Sequence, residues 1–187
     1  MLRPSALAPL AALALLLSGC SSAPEAPTSP SPKPSASQLE AFESDDEAFE
    51  AATAALSAYL EVVNEARQTG VIDREELLSV SLQAAADEAA VSIEKYADAG
   101  QRQVGDIRFD SAQYESSYGE ADSLLVAINV CMDYSERSVV DAHGQEVDLS
   151  QVDERAAFRV ELSNAESEDL TTLKMRGIES WPERSCS

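Results

Sequence analysis

The chain has 187 residues, of which 34 are acidic and 13 are Lys or Arg, so its formal net charge is −21. Such an acidic surface repels phosphate backbones and anionic lipid headgroups, which disfavours nucleic-acid binding and electrostatic docking to membranes. The sequence holds a single histidine, which excludes metal sites with several histidine ligands.

The N-terminal segment is typical of a cleaved signal peptide. Arg3 is its only charged residue, and an apolar run from Ala6 to Leu17 is too short to span a bilayer. The run closes on Leu17-Ser18-Gly19-Cys20, which resembles the lipobox at which bacterial lipoproteins are cut and lipidated. We therefore expect removal of residues 1–19 and a lipid on Cys20 that anchors the chain to the outer side of the cell membrane. The alternative is a secretory peptide cut near a chance cysteine.

Residues 20–37 then form a linker rich in Ser, Ala and Pro, with five prolines at positions 24, 27, 30, 32 and 34. Proline-rich segments favour the extended polyproline II conformation at about 3.1 Å per residue. We expect this segment to act as a tether. A single domain over residues 38–187 follows, and its length is sufficient for a sizeable core.

The first half of this domain predicts helices. Ser44 and Glu47 have capping-box spacing, and apolar residues then recur at threes and fours, which predicts a helix from about Asp45 to Gln68 that ends at Gly70. A second helical pattern begins at Asp73 and continues to Gly100. Its spacing fits one helix or two, and Ser79, Ser81 and Asp87 favour a break.

After Gly100 the pattern becomes typical of strands. The predicted strands are Val104–Phe109, Ser123–Tyr134, Arg155–Leu162 and Leu170–Ile178, with loops expected at Ser116–Asp122, Asp141–Gly144 and Asn164–Asp169. Helices followed by consecutive strands predict an α+β domain with helices packed on an antiparallel sheet. The strand containing Leu124–Val130 should be central, because both of its faces are apolar.

A resemblance to a known family rests on four short motifs and the order of elements. The motifs are Gly105-Asp106, Val130-Cys131-Met132-Asp133, Asp141-Ala142-His143-Gly144 and a last strand that closes on Trp181. Together they resemble the nuclear transport factor 2-like (NTF2-like) lipoproteins of high-GC Gram-positive bacteria over residues 40–187. The resemblance implies a cone in which a curved sheet wraps around the helices and a pocket opens at one end. The family fold hosts isomerases and dehydratases as well as domains without catalysis.

Two functions follow as hypotheses. The first is an envelope lipoprotein whose non-catalytic domain binds another envelope protein or an apolar small molecule. The alternative is an enzyme of the ketosteroid-isomerase or dehydratase type, in which a cavity carboxylate acts as the base on a small apolar substrate. For the enzyme, the candidates are Asp133 as base and Tyr59, Tyr114 or Tyr118 as hydrogen-bond donor. A buried Asp133 with a raised pKa beside a tyrosine hydroxyl would favour the enzyme hypothesis.

The remaining candidate catalytic or metal-binding residues predict neither a cofactor nor a metal site. His143 lies in a predicted hairpin turn with Gly144 at the left-handed position. The acidic group Glu166, Glu168 and Asp169 is typical of a solvated loop, with a weak divalent-ion site as the alternative. Phosphate-binding loops, dinucleotide fingerprints, nucleophile elbows and EF-hand spacings do not occur in the sequence.

The number of cysteines predicts a disulfide. Once Cys20 carries lipid, Cys131 and Cys186 remain as an even pair in an oxidising compartment. We expect these two cysteines to be bonded, which would hold the C-terminus against the sheet. The alternative is a pair of free buried thiols.

Overall fold

The computed structural model describes residues 41–120, 122–181 and 184–186. The predictions for the signal peptide, Cys20 and the linker therefore lie outside the described residues. Within them, three helices precede six strands, in agreement with the predicted α+β class. The elements are α1 (Asp45–Thr69), α2 (Arg74–Val80), α3 (Gln83–Asp98), β1 (Arg102–Val104), β2 (Arg108–Glu120), β3 (Ser123–Asp133), β4 (Ser138–Val140), β5 (Arg155–Ser163) and β6 (Lys174–Ser180).

Helix α1 begins and ends as its sequence predicts. The Ser44 hydroxyl accepts a hydrogen bond from the Glu47 N–H at 3.2 Å, which satisfies one of the free donors of the first turn. Gly70 ends the helix with φ of 72°, a left-handed conformation that glycine adopts without steric cost. Between these caps, one face of the helix is buried along its length, and it includes Ala48, Ala52, Leu56, Leu60 and Val63.

The second helical segment consists of two helices, and the break between them lies at Ser81. The carboxylate of Asp73 caps α2 by accepting hydrogen bonds from two backbone N–H groups. At the far end, the backbone of Ser81 is extended and forms a parallel bridge to Met175 of β6. The Leu82 N–H also donates to the Met175 carbonyl at 2.8 Å. A strand distant in sequence therefore fixes the position of the break.

Four strands form an antiparallel sheet in the order β2-β3-β5-β6, and β1 pairs separately with β4. Strand β3 is central, as predicted, and its residues from Leu124 to Met132 are all buried. Its inner face packs with the buried stripe of α1 and consists of Leu124, Val126, Ile128, Val130 and Met132. Because side chains alternate along a strand, the opposite face presents Leu125, Ala127, Asn129 and Cys131. We call this second side of the sheet the outer face.

Three of the predicted boundaries are wrong. The strand expected at 104–109 is interrupted by a turn at Gly105, which separates the end of β1 from the start of β2. The loop expected at 116–122 is instead strand as far as Glu120, because β2 follows β3 in register despite its polar sequence. The last strand starts at Lys174 and not at Leu170, whose side chain is exposed. In each case the pairing partner sets the strand limits.

Candidate functional site

Asp133, the predicted catalytic base, lies in a setting opposite to the one that catalysis requires. It ends β3, and its carboxylate accepts a hydrogen bond from the Ser135 N–H at 2.9 Å. Hydrogen bonds from Ser135 lower the pKa of Asp133, and the positive charges of Arg155 and Arg108 lower it further. The group is therefore a stable carboxylate at neutral pH and does not have the raised pKa that a buried base would show.

The tyrosines proposed as donors have other surroundings. Tyr59 is half-buried on α1 among the side chains that join the helices, and burial raises its pKa. The Tyr114 hydroxyl donates to Asp45 at 2.9 Å, and the Tyr118 hydroxyl donates to Glu161 at 3.2 Å. Among the hydrogen bonds of the described residues, none joins these tyrosines to Asp133. The structure therefore does not assemble the proposed acid–base pair.

The space between α1 and the inner face of the sheet is filled by the protein's own side chains. Ala52, Leu56, Val126 and Ile128 are fully inaccessible to solvent at the centre of this contact. A cavity carboxylate needs an apolar chamber open to a substrate, and the centre of this contact offers no such space. An open depression of about 610 Å³ lies instead at the N-terminal end of α1, where Ala48, Leu124 and Tyr118 line it.

An open groove of about 810 Å³ lies between α1 and the segment from Asp106 to Phe109, where β2 begins. Its buried amide Asn64 and the neighbouring Gln68 are already bonded within the protein. The Asn64 amide donates to the Ile107 carbonyl and accepts from the Ile107 N–H, both at 3.0 Å, and Gln103 donates to Asn64 at 2.9 Å. Gln68 donates to the carbonyl of Gly105 at 3.0 Å. This network holds the turn against α1, which is a structural role.

The predicted disulfide is present. The sulfur atoms of Cys131 and Cys186 are 2.05 Å apart, with 5.7 Å between their Cα atoms. Cys131 belongs to the outer face of β3, so the bond holds the end of the chain on that side of the sheet.

A network of ion pairs covers the outer face beside β3. Arg159 bonds Glu115 at 3.0 Å and Glu161 at 2.5 Å, and Arg176 bonds Glu161 at 3.2 Å and Glu120 at 3.0 Å. Partial burial on its own would raise the pKa of Glu161. The hydrogen bond and positive charge of Arg159 outweigh this effect, so the pKa of Glu161 lies below its usual value. The same hydrogen bond raises the pKa of Arg159.

Next to this network lies a pocket of about 500 Å³ that sequence reasoning missed. It is lined by Glu115, Asn129, Arg159, Glu179, Ser180 and Trp181, and we call it the outer pocket. Asn129 is only 7% exposed, and its Oδ1 atom has no hydrogen-bond partner among the described residues. A buried polar atom without a partner is rare, because it loses its hydrogen bonds to water without replacement. The sequence did carry a signal, since Asn129 is the one amide in an otherwise apolar central strand.

The other buried asparagines show that Asn129 is unusual. Asn64 has the same 7% exposure, yet its side chain is bonded to Ile107 and Gln103. The Asn164 side chain accepts from the Leu124 N–H and donates to the Leu170 carbonyl, both at 2.7 Å. Burial in these asparagines therefore comes with hydrogen bonds for the amide, and Asn129, whose residue lines the outer pocket, departs from that rule.

The remaining candidate residues form loops. His143 is exposed in a turn that the Asp141 carboxylate stabilises by accepting from two backbone N–H groups, and Gly144 has φ of 76°, as predicted. The carboxylate of Asp169 is bonded by the backbone and hydroxyl of Thr171, which matches a solvated loop. Over the described residues, no group of three or more His, Cys, Asp or Glu side chains could hold a metal ion. The helices within those residues also lack the length and apolar character needed to cross a membrane.

Comparison with known proteins assigns no family. No protein-family model matches the chain, and no curated protein matches it. Among solved structures, the chain is similar to the intermembrane space region of the chloroplast protein ARC6, at 15% identity and a TM-score of 0.42. The match covers 72% of this chain and 96% of that one.

Proposed function

We propose that the chain is a lipoprotein, anchored to the cell membrane through a lipid on Cys20, that presents a non-catalytic binding domain on the extracytoplasmic side. The observation that carries this proposal is the bond between Cys131 and Cys186. Disulfides form and persist in oxidising compartments, which agrees with export by the N-terminal segment. The residues expected to direct export and those that form the bond are independent parts of the sequence.

Two observations support a domain without catalysis: the packing between α1 and the inner face of the sheet, and the lowered pKa of Asp133. The centre of the contact between α1 and the sheet is packed, and hydrogen bonds from Ser135 lower the pKa of Asp133 so that it stays ionised. Binding is then expected on the outer face, where an envelope protein or a small molecule can approach, and not inside a cone. We also propose the NTF2-like fold, supported by a long N-terminal helix laid across an antiparallel sheet whose central strand is buried on both faces. The acidic charge makes nucleic acid an unsuitable partner.

The experiment is metabolic labelling with palmitate in a bacterium that processes lipoproteins, followed by membrane fractionation. The wild-type chain should carry the label and sediment with membranes, because two acyl chains give stable anchoring. Cys20→Ala should lose the label and appear in the medium or as an uncut precursor. A Cys131→Ala, Cys186→Ala double variant is the matched control, since it removes two other cysteines and should keep the label. Membrane retention of a processed Cys20→Ala chain would show that the anchor is not this cysteine.

A further inference from the structure

We propose that the open groove between α1 and the start of β2 binds a basic, amphipathic segment of another protein. We call this surface the α1 groove. The inference goes beyond the proposed function, because it assigns a partner class to the helical side of the sheet, apart from the outer face. It is carried by an open volume of about 810 Å³ that combines an apolar floor with uncompensated carboxylates along its rim.

The floor of the α1 groove is apolar and extends along the helix. Leu60 and Ile107 are buried in it, and Phe109 of β2 is half-buried. On α1 the lining runs from Ser57 to Thr69, which corresponds to about 18 Å at 1.5 Å per residue. A groove of three helical turns beside a helix suits a peptide segment that lies along it, as in helix-in-groove recognition.

The rim of the α1 groove carries two carboxylates that the fold does not use. Glu61 and Glu65 are exposed and lie four residues apart on α1, and neither takes part in an ion pair of the described residues. Like charges at this spacing repel each other and destabilise a helix slightly. Lysine or arginine side chains of a partner would remove that repulsion.

The charges of the α1 groove select a basic occupant. Arg108, the basic residue of the lining, is shared between Glu136 at 2.8 Å and Asp106 at 4.0 Å. It therefore offsets Asp106 and leaves Glu61 and Glu65 uncompensated. An anionic ligand would meet these two charges without a free cation to hold it.

The apolar floor and the overall charge exclude other occupants. A small cation would meet the carboxylates and leave the apolar floor uncovered. A second copy of the chain is unsuitable, because two molecules of net charge −21 repel each other. The same charge attracts a basic partner from a distance and speeds its association. A segment with basic side chains beside apolar ones matches both parts of the α1 groove.

The test measures the binding of fluorescently labelled peptides to the purified full-length chain by anisotropy. The first probe is a helix-forming peptide of leucine and lysine with its leucines on one face, about 12 residues long to match the groove. The second probe has glutamine in place of each leucine, so it keeps the charge and loses the apolar face. The leucine–lysine peptide should bind saturably and less tightly as the salt concentration rises. The glutamine analogue should bind about tenfold more weakly or worse, because it leaves the floor uncovered.

Matched double variants separate the α1 groove from the general acidity of the chain. Glu61→Gln with Glu65→Gln should weaken binding of the leucine–lysine peptide by about fivefold or more, as expected for the loss of two exposed ion pairs. The control is Glu94→Gln with Asp98→Asn, which removes two exposed carboxylates at the same spacing on α3 and should change binding by about twofold at most. Both double variants should keep or slightly raise the melting temperature, because each removes a repulsion between like charges on a helix.

Five results would overturn the proposal. They are no saturable binding of the leucine–lysine peptide, equal binding of its glutamine analogue, equal losses of binding in the two double variants, a lower melting temperature for the groove variant, or a dimer of the chain that the groove variant dissociates. The last result would assign the α1 groove to a second copy. None of these results depends on lipidation, so the palmitate experiment tests the anchor separately.

Discussion

The turn at Gly105 should be far less tolerant of a methyl group than the turn at Gly144. Both glycines have left-handed backbones, with φ of 77° and 76°, so alanine meets a similar conformational cost of about 1 kcal/mol at either position. Their surroundings differ. A Cβ atom at Gly105 would lie 2.0 Å from the backbone oxygen of Glu136, whereas nothing lies within 4 Å of one at Gly144.

The clash at Gly105 has a further consequence. The contact is with backbone, so it is relieved only if the turn or the segment around Glu136 moves. The carbonyl of Gly105 accepts hydrogen bonds from Gln68 at 3.0 Å and from Gln103 at 2.9 Å, and a shift of the turn weakens both. Each such bond contributes about 1 kcal/mol. Gly105→Ala should therefore cost about 3–4 kcal/mol, against about 1 kcal/mol for Gly144→Ala.

The assay is urea unfolding of both variants and the wild type, followed by circular dichroism, with thermal melts in parallel. For a domain of this size, 1 kcal/mol corresponds to a shift of about 2–4 °C in melting temperature. Gly105→Ala should melt roughly 6–16 °C below the wild type, and Gly144→Ala about 2–4 °C below it. Equal losses at the two positions would refute the argument, because they would show that the approach of Glu136 has no energetic weight.

Two further perturbations test the outer face. Removing the disulfide with Cys131→Ala and Cys186→Ala should lower the free energy of unfolding by about 4 kcal/mol on the chain-entropy model, because the bond closes a loop between residues 55 positions apart. Urea titration measures this loss, and an unchanged unfolding midpoint would contradict the expectation. The pKa of Glu161 is lowered in the folded state by Arg159, so this pair contributes stability above the unfolded-state pKa of glutamate, and the contribution is lost as the pH falls through the lower folded-state value. Glu161→Gln should therefore lose less stability than the wild type when the pH falls from neutral to about pH 3. The control is Glu94→Gln, at an exposed glutamate on α3, and it should follow the wild type. Parallel pH profiles for Glu161→Gln and the wild type would show that the ion pair contributes nothing to stability.

The strongest sequence signals are local, and the structure agrees with them. Helix α1 follows from the hydroxyl of Ser44 at one end, Gly70 at the other and an apolar stripe between, all of which act within a few residues of one another. The central position of β3 follows from an apolar run that can only be accommodated with both faces covered. The pairing of Cys131 with Cys186 follows from counting cysteines in a chain expected to be exported.

The tertiary structure decided what depends on partners distant in the sequence. Strand β2 is polar and was expected in part to be a loop, yet it is a strand because β3 supplies its hydrogen bonds and the outer face gives its charged side chains partners such as Arg159. The environment of Asp133 likewise depends on the end of a strand and the backbone of Ser135, which spacing alone does not reveal. The outer pocket is the clearest case. Its lining comes from β2, β3, β5, β6 and Trp181, and the sheet brings them together only because antiparallel pairing sets residues far apart in the sequence side by side on one face.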